Sequence, residues 1–207
     1  MVKRWCNLCD VDITISPASA DETARSHCHN TIDSTILSSK VEEENITEWL
    51  ASAEKTSKPK LLYSASRDGW NASDFHRMCN GKGATVTVVK SSDGYIFGGY
   101  TDVEWGGGGV WKSSVESFIW LKDHAGVGPV KMPITSNRTG DAVCHDSSRG
   151  TLFGRFHDLY VASNVNSNTS SSCNVASTYK LPSNTHDPHF LTGSDSFTVL
   201  EYEVFLV

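Results

Sequence analysis

Apolar and polar positions are most sharply ordered between Leu61 and Thr101, LLYSASRDGWNASDFHRMCNGKGATVTVVKSSDGYIFGGYT. The pattern predicts a strand over 60–66, turned by Arg67-Asp68-Gly69. A helix follows, capped by Asn71 with Asp74 as its box partner, and Trp70 is placed to staple onto Phe75. Phe75, Met78 and Cys79 share one face, and Asn80-Gly81 supplies the stop. Thr85 to Val89 then alternates and is β-branched throughout, as a strand requires. Ser91 to Gly94 forms a turn, and Tyr95 to Thr101 returns as the partner strand. Gly98-Gly99 within that strand signals a bulge or the close approach of another element.

Upstream, Ser39 and Glu42 make an S-x-x-E capping box, with Glu42 to Glu44 in the first turn, where the helix dipole favours acids. Ile46, Trp49, Leu50 and Ala53 form one apolar stripe, with Trp49 as a core anchor, and the helix stops before Ser57-Lys58-Pro59. Downstream, Gly106 to Gly109 reads as a flexible surface loop. Ser117 to Leu121 is a buried central strand. Residues 129–134 and 142–145 are weaker strands around the 137–140 turn. In 150–162, Phe153, Leu159 and Val161 line one side. Residues 163–178 are Ser/Asn-rich with few apolar anchors, an exposed, mobile loop. The closing strand, 199–207, sets Leu200, Tyr202, Val204 and Leu206 on one face and Glu201 and Glu203 on the other. Several strands, few helices and Gly-rich turns give an α+β or mainly-β chain with an antiparallel sheet system as its core.

The 207 residues fit one domain with an appendage. Residues 1–33 are polar, with a short alternation at Val11, Ile13 and Ile15, and form an N-terminal extension; residues 34–207 form the domain. Eighteen basic against 24 acidic residues, net −6, argue against nucleic-acid binding. No stretch is apolar enough to insert in a membrane, and no signal peptide is legible, which implies an intracellular, cytoplasmic chain with reduced thiols. Four sequons, at Asn45, Asn71, Asn137 and Asn168, then read as chance matches.

Candidate chemistry is sparse. Cys6 and Cys9 with His27 and Cys28 have the ligand types of a zinc site, but the second pair is poorly spaced, and a polar arm with ordinary thiols is the favoured reading. Gly106 to Gly109 lacks the Lys-Ser/Thr of a phosphate loop and precedes a strand. Cys144-His145 and His157-Asp158 are sequence neighbours, which a strand would aim to opposite faces. His186, Asp187 and His189 cluster without a further ligand, and His76 and His124 read as surface residues. Glu201 and Glu203 stand at a spacing that paired-carboxylate glycosidases use, yet a solvated or partner-facing edge accounts for them better. No catalytic constellation emerges.

The order of motifs is more specific than any one of them. S-R-D-G-W followed by F-H-x-x-C-x-G-K-G, the Gly98-Gly99 strand, and the closing G-S-D-x-F-T-V-x-E-x-E-V-F together resemble the TLDc domain over residues 34–206. The resemblance implies a two-sheet antiparallel β-sandwich flanked by a few helices. It also implies a non-enzymatic protein acting by protein–protein contact, in oxidative-stress resistance or in regulating assembly of the vacuolar ATPase. Arg67, Asp68, Gly69, Gly81, Gly83, Gly98, Gly99, Gly193, Phe197, Glu201 and Glu203 fall on the family pattern, mostly as fold-defining residues. Where relatives often continue with glycines after Phe153-Gly154, this chain has Arg155-Phe156. The alternatives are a thiol-based antioxidant enzyme using Cys79, Cys144 or Cys173, of which Cys173 is the most accessible by its loop position, and a carbohydrate-binding sandwich using Trp105 and Trp111.

Overall fold

The computed structural model describes residues 32–38, 40–51, 58–124 and 128–207. The Val11–Ile15 alternation, the Cys6/Cys9/His27/Cys28 arm, the Ser39–Glu42 box and Ala53 lie outside the described residues and side chains. Three helices are described, α1 (Lys40–Ala51), the single turn α2 (Ala65–Asp68) and α3 (Ala72–Cys79). One six-stranded antiparallel sheet holds β1 (Lys60–Ser64), β2 (Thr85–Ser91), β3 (Ile96–Thr101), β5 (Phe118–Leu121), β6 (Val130–Pro133) and β12 (Val199–Leu206), in the order β1-β12-β2-β3-β5-β6. The second holds β4 (Gly108–Lys112), β7 (Val143–Asp146), β8 (Leu152–Phe153), β9 (Leu159–Tyr160), β10 (Ser171–Ser172) and β11 (Ser196–Phe197), in the order β11-β10-β9-β8-β7-β4. The fold is a mainly-β sandwich with few helices.

Phe97, Ile119, Phe153, Leu159, Tyr202 and Val204 belong to one buried core, which also takes in Phe75 from α3. A second core lies on the other face of the first sheet. There Val86, Val88, Trp120 and Phe205 are covered by Ile32, Ile36 and Leu37 and by Ile46 and Leu50 of α1. This double cover explains β2, whose alternation suggests one wet face but whose residues are all buried except Lys90. Trp49 is only half-buried, edge-on to Phe118 at 6.3 Å.

Local signals hold where they are strongest. The Asn71 N–H donates to Asp74 Oδ2 at 3.2 Å, which fixes the entry to α3. The β2–β3 pairing runs without a register shift, so Gly98-Gly99 is no bulge but a close approach. A Cβ on Gly99 would stand 2.7 Å from the Phe153 ring, and one on Gly98 would overlap the Thr87 carbonyl.

Several expectations are corrected. The strand over 60–66 ends at Ser64, because Ala65 and Ser66 are drawn into the α2 turn. Gly108 and Gly109 of the expected loop are the start of β4, an edge strand paired with β7. A register shift between Val199 and Glu201 turns Leu200 outward to 55% exposure, while Tyr202 and Val204 stay inside. Residues 163–178 are not an exposed loop, since Val165, Ser171, Cys173 and Val175 are buried. The buried Asp158 carboxylate gathers that segment's far end, accepting from the N–H groups of Ser177, Thr178 and Tyr179 at 3.2, 3.0 and 3.0 Å and from Ser177 Oγ at 2.6 Å. A buried charge needs such a full set of donors.

Candidate functional site

Five of the family-pattern residues, Arg67, Asp68, Gly69, Glu201 and Glu203, lie where β1 runs into α2 and on the neighbouring β12. Arg67 and Asp68 form a fork, Nε to Oδ1 at 2.9 Å and Nη2 to Oδ2 at 2.7 Å. Planar guanidinium–carboxylate pairing of this kind is directional as well as strong. The Asp68 carboxyl is held below its usual range, first by Arg67 and then, against a smaller burial penalty, by the Ser64 N–H at 3.0 Å. Gly69 closes the turn at φ +115°, a conformation that favours glycine, and a Cβ there would overlap the Asp74 carboxylate. Its carbonyl accepts from the Tyr63 hydroxyl at 2.8 Å, and the Asp68 carbonyl accepts from Arg77 Nη2 at 3.0 Å.

Glu201 and Glu203 part company. Glu201 is half-buried and accepts from the Ser66 N–H at 3.3 Å and its neighbour Tyr202 N–H at 2.9 Å. Glu203 is fully buried, not a solvated edge. Its Oε2 accepts from Ser34 Oγ at 2.6 Å, and its Oε1 accepts from the Thr35 N–H at 3.0 Å and Thr35 Oγ1 at 2.7 Å. Ser34 Oγ in turn accepts from the Ile36 and Leu37 N–H groups at 3.1 Å. Glu203 therefore acts as the clasp that holds the N-terminal segment against the sheet. Buried beneath that segment with three donors in place, the carboxylate presents no open face to a substrate.

The remaining pattern residues lie apart. Gly81, Gly83 and Gly193 occupy left-handed backbone at φ +66°, +97° and +72°. Phe197 packs edge-on to Phe97 at 5.1 Å in the core. Of the whole set, Arg67 keeps the most exposed side chain among the charged members, 49% beside a 12% exposed Asp68.

The three thiols among the described residues, Cys79, Cys144 and Cys173, are all buried. Cys173 is buried, a correction to its expected accessibility, and burial pushes its thiol up to about 11. Burial also raises the thiols of Cys79 and Cys144. Trp105 is not a loop aromatic either: it is 2% exposed and its Nε1–H donates to Thr85 Oγ1 at 2.8 Å. Trp111 is half-buried on the edge strand β4.

His76, expected on the surface, is buried, with Nε2 at 2.9 Å from the carbonyls of both Asp146 and Arg149, so it pins the turn after β7 to α3. His124 is half-buried, stacked on Phe190. His189 Nδ1 donates to the Cys173 carbonyl at 2.9 Å, and the Asp187 carboxylate accepts from the His189 N–H at 2.9 Å, so that cluster ties its own loop. Among the described residues no group of three His, Cys, Asp or Glu side chains is arranged to hold a metal. Nor is any described helix long and apolar enough to cross a membrane. A pocket of about 270 Å³ opens between α1 and the end of β5, lined by Ile46, Trp49, Trp120 and Pro129 among others, and it contains none of the family-pattern residues.

Sequence reasoning passed over Asp158 as half of a neighbouring His-Asp pair. Its signal was the run of Ser and Thr about twenty residues on, whose backbone donors it collects. Comparison with curated protein sequences gives no match. The family model described as the TLDc domain matches residues 31–207. That match covers most of the chain, and the chain belongs to the TLDc domain family.

Proposed function

We propose that this protein acts in the cytoplasm by protein–protein contact rather than by catalysis, with the vacuolar ATPase as partner and oxidative-stress resistance as the setting. The TLDc match over residues 31–207 carries the reading, because it is the widest and most specific feature of the chain. The chemistry of the charged cluster supports it. Asp68 is engaged by Arg67 and Ser64, and Glu203 by Ser34 and Thr35, so both carboxylates work within the fold. The thiol alternative is weakened by the burial of Cys173 and Cys79 at 0% exposure, since a peroxide-reducing thiol has to ionise and meet its oxidant.

Affinity capture tests the proposal. The full chain, immobilised, is expected to retain solubilised vacuolar ATPase in its assembled or its disassembled state. Failure to retain either would remove the pump from the account. Zinc on Cys6, Cys9, His27 and Cys28 is a separate proposal, checked by the metal content of the full chain against residues 34–207.

A further inference from the structure

One end of the sandwich is assembled from three connections: residues 113–117, the 3-10 turn Thr139–Asp141, and the β8–β9 turn over 154–158. They are tied to each other. The Ser114 N–H donates to the Thr139 carbonyl at 3.0 Å, and Arg155 Nη1 meets Asp141 Oδ1 at 2.7 Å. Arg138 Nη1 reaches the other oxygen of the same carboxylate at 3.7 Å. From this end two large apolar side chains project into solvent, Phe156 at 58% and Val115 at 71% exposure.

The β8–β9 turn that carries Phe156 is fixed on every side. Gly154 and His157 both stand in left-handed backbone, at φ +75° and +62°. The Gly154 N–H donates to the Ala142 carbonyl at 2.9 Å, the His157 N–H to the Gly154 carbonyl at 3.1 Å, and the Arg155 N–H to Thr178 Oγ1 at 3.1 Å. Asp158, next in the chain, is the buried hub that holds residues 177–179. A non-glycine residue in left-handed backbone persists only where its surroundings over-determine it. Here the fixed backbone at Gly154 and His157 brackets Phe156, whose ring stands 58% exposed. A phenyl ring displayed on fixed backbone loses little freedom on binding, and this is what makes aromatic anchors effective at protein interfaces.

The charge around the ring differs from that of the chain. Lys112, Arg138, Arg155 and Lys180 are all exposed at this end, with Asp102, Glu116 and Asp141 as the acids nearby, whereas the chain as a whole carries −6. Asp141 is already shared by two guanidinium groups. That pairing orients Arg155 while leaving its other donors open, and a planar donor fork suits a carboxylate.

We propose that this end of the sandwich, centred on Phe156 with Arg155 next to it and Val115 on the adjoining connection, is a docking surface for a protein whose matching patch is an apolar socket rimmed by carboxylates. The proposal rests on the protein-contact reading and locates its surface. A protein fits better than a lipid bilayer, because the apolar area is two side chains rather than the continuous face that interfacial insertion uses, and two of the cations are held on a carboxylate.

Peptide selection tests it without the pump. A random peptide library displayed on phage is selected on the immobilised full chain. The expected peptides carry acidic residues around an apolar one, and their affinity falls at least about tenfold on Phe156→Ala, as for an aromatic anchor. Arg155→Glu, which keeps the ring, produces a similar loss for the same peptides. Leu200→Ala, at another exposed apolar residue, changes nothing, and the thermal midpoints of the Phe156 and Leu200 variants match the parent. Three results overturn the surface: no enriched peptide, peptides that bind Phe156→Ala as well as the parent, or Phe156-dependent binding to phosphatidylserine vesicles in place of peptides. A chain that fails here yet captures the vacuolar ATPase docks through another face. One that passes here and fails to capture the pump has a different partner.

Discussion

Replacing Glu203 by glutamine keeps the shape of the side chain and removes its charge from beneath the N-terminal segment. Three donors converge on this carboxylate, from Ser34 Oγ, the Thr35 N–H and Thr35 Oγ1. A hydrogen bond to a charged acceptor contributes roughly 1.5–3 kcal/mol and a neutral one about 1 kcal/mol, so three bonds lose about 1.5–6 kcal/mol together. Ser34 cannot simply reverse its bond to receive the new amide, because its oxygen already accepts from the Ile36 and Leu37 N–H groups. For a domain of this size each kcal/mol moves the thermal midpoint about 2–4 °C, which gives a fall on the order of 3–24 °C. Thermal unfolding followed by circular dichroism reads the fall. Hydrogen exchange at residues 34–37 shows whether the loss begins at the clasp. A midpoint within about 2 °C of the parent, with unchanged exchange at those amides, would refute the clasp.

Gly99→Ala drives a methyl group into the Phe153 ring at 2.7–2.9 Å, and a cost of about 1–3 kcal/mol is expected in urea unfolding. Gly81→Ala is the contrast. It meets nothing within 4 Å but stands at φ +66°, so it loses only the left-handed backbone term of about 1–2 kcal/mol. A Gly99→Ala midpoint equal to the parent's would mean that the ring does not lie against that strand. Cys173 makes an alkaline prediction. Its thiol ordinarily titrates near 9.0 and is pushed up to about 11, so between those values the unfolded chain has released a proton that the folded chain keeps. Stability is therefore fully present below pH 9 and declines toward pH 11, and Cys173→Ser flattens that decline. In the native state Cys173 should resist thiol reagents until denaturant is added; prompt labelling would contradict its burial.

The elements legible in the sequence are those fixed by near neighbours. Asn71 and Asp74 mark the start of α3 because a cap is satisfied within one helical turn. The β2–β3 hairpin is readable from its β-branched run and its Gly94 turn. Glu203 was not readable in the same way, since its donors lie 168 and 169 positions away along the chain. Nothing local distinguishes a glutamate that alternates out to water from one that alternates under a covering segment. The 163–178 stretch misled for a related reason. Its few apolar residues are nearly all inside, and its polar backbone is organised by a carboxylate at position 158 rather than by periodicity. The register shift that exposes Leu200 was equally hidden, because alternation is read on the assumption that no residue is bulged. In the candidate site, the Arg67-Asp68-Gly69 turn could be read as a motif. What could not be read is that Asp68 serves the turn while Arg67 alone of the pair reaches well into solvent.

Whether this TLDc protein works by binding, as we propose, is decided by the capture of solubilised vacuolar ATPase on the immobilised full chain, with the Glu203→Gln protein run beside it as a fold-weakened control. Retention of the pump, assembled or disassembled, by the parent chain at physiological salt is the expected result. No retention of either state by a correctly folded parent chain would contradict it.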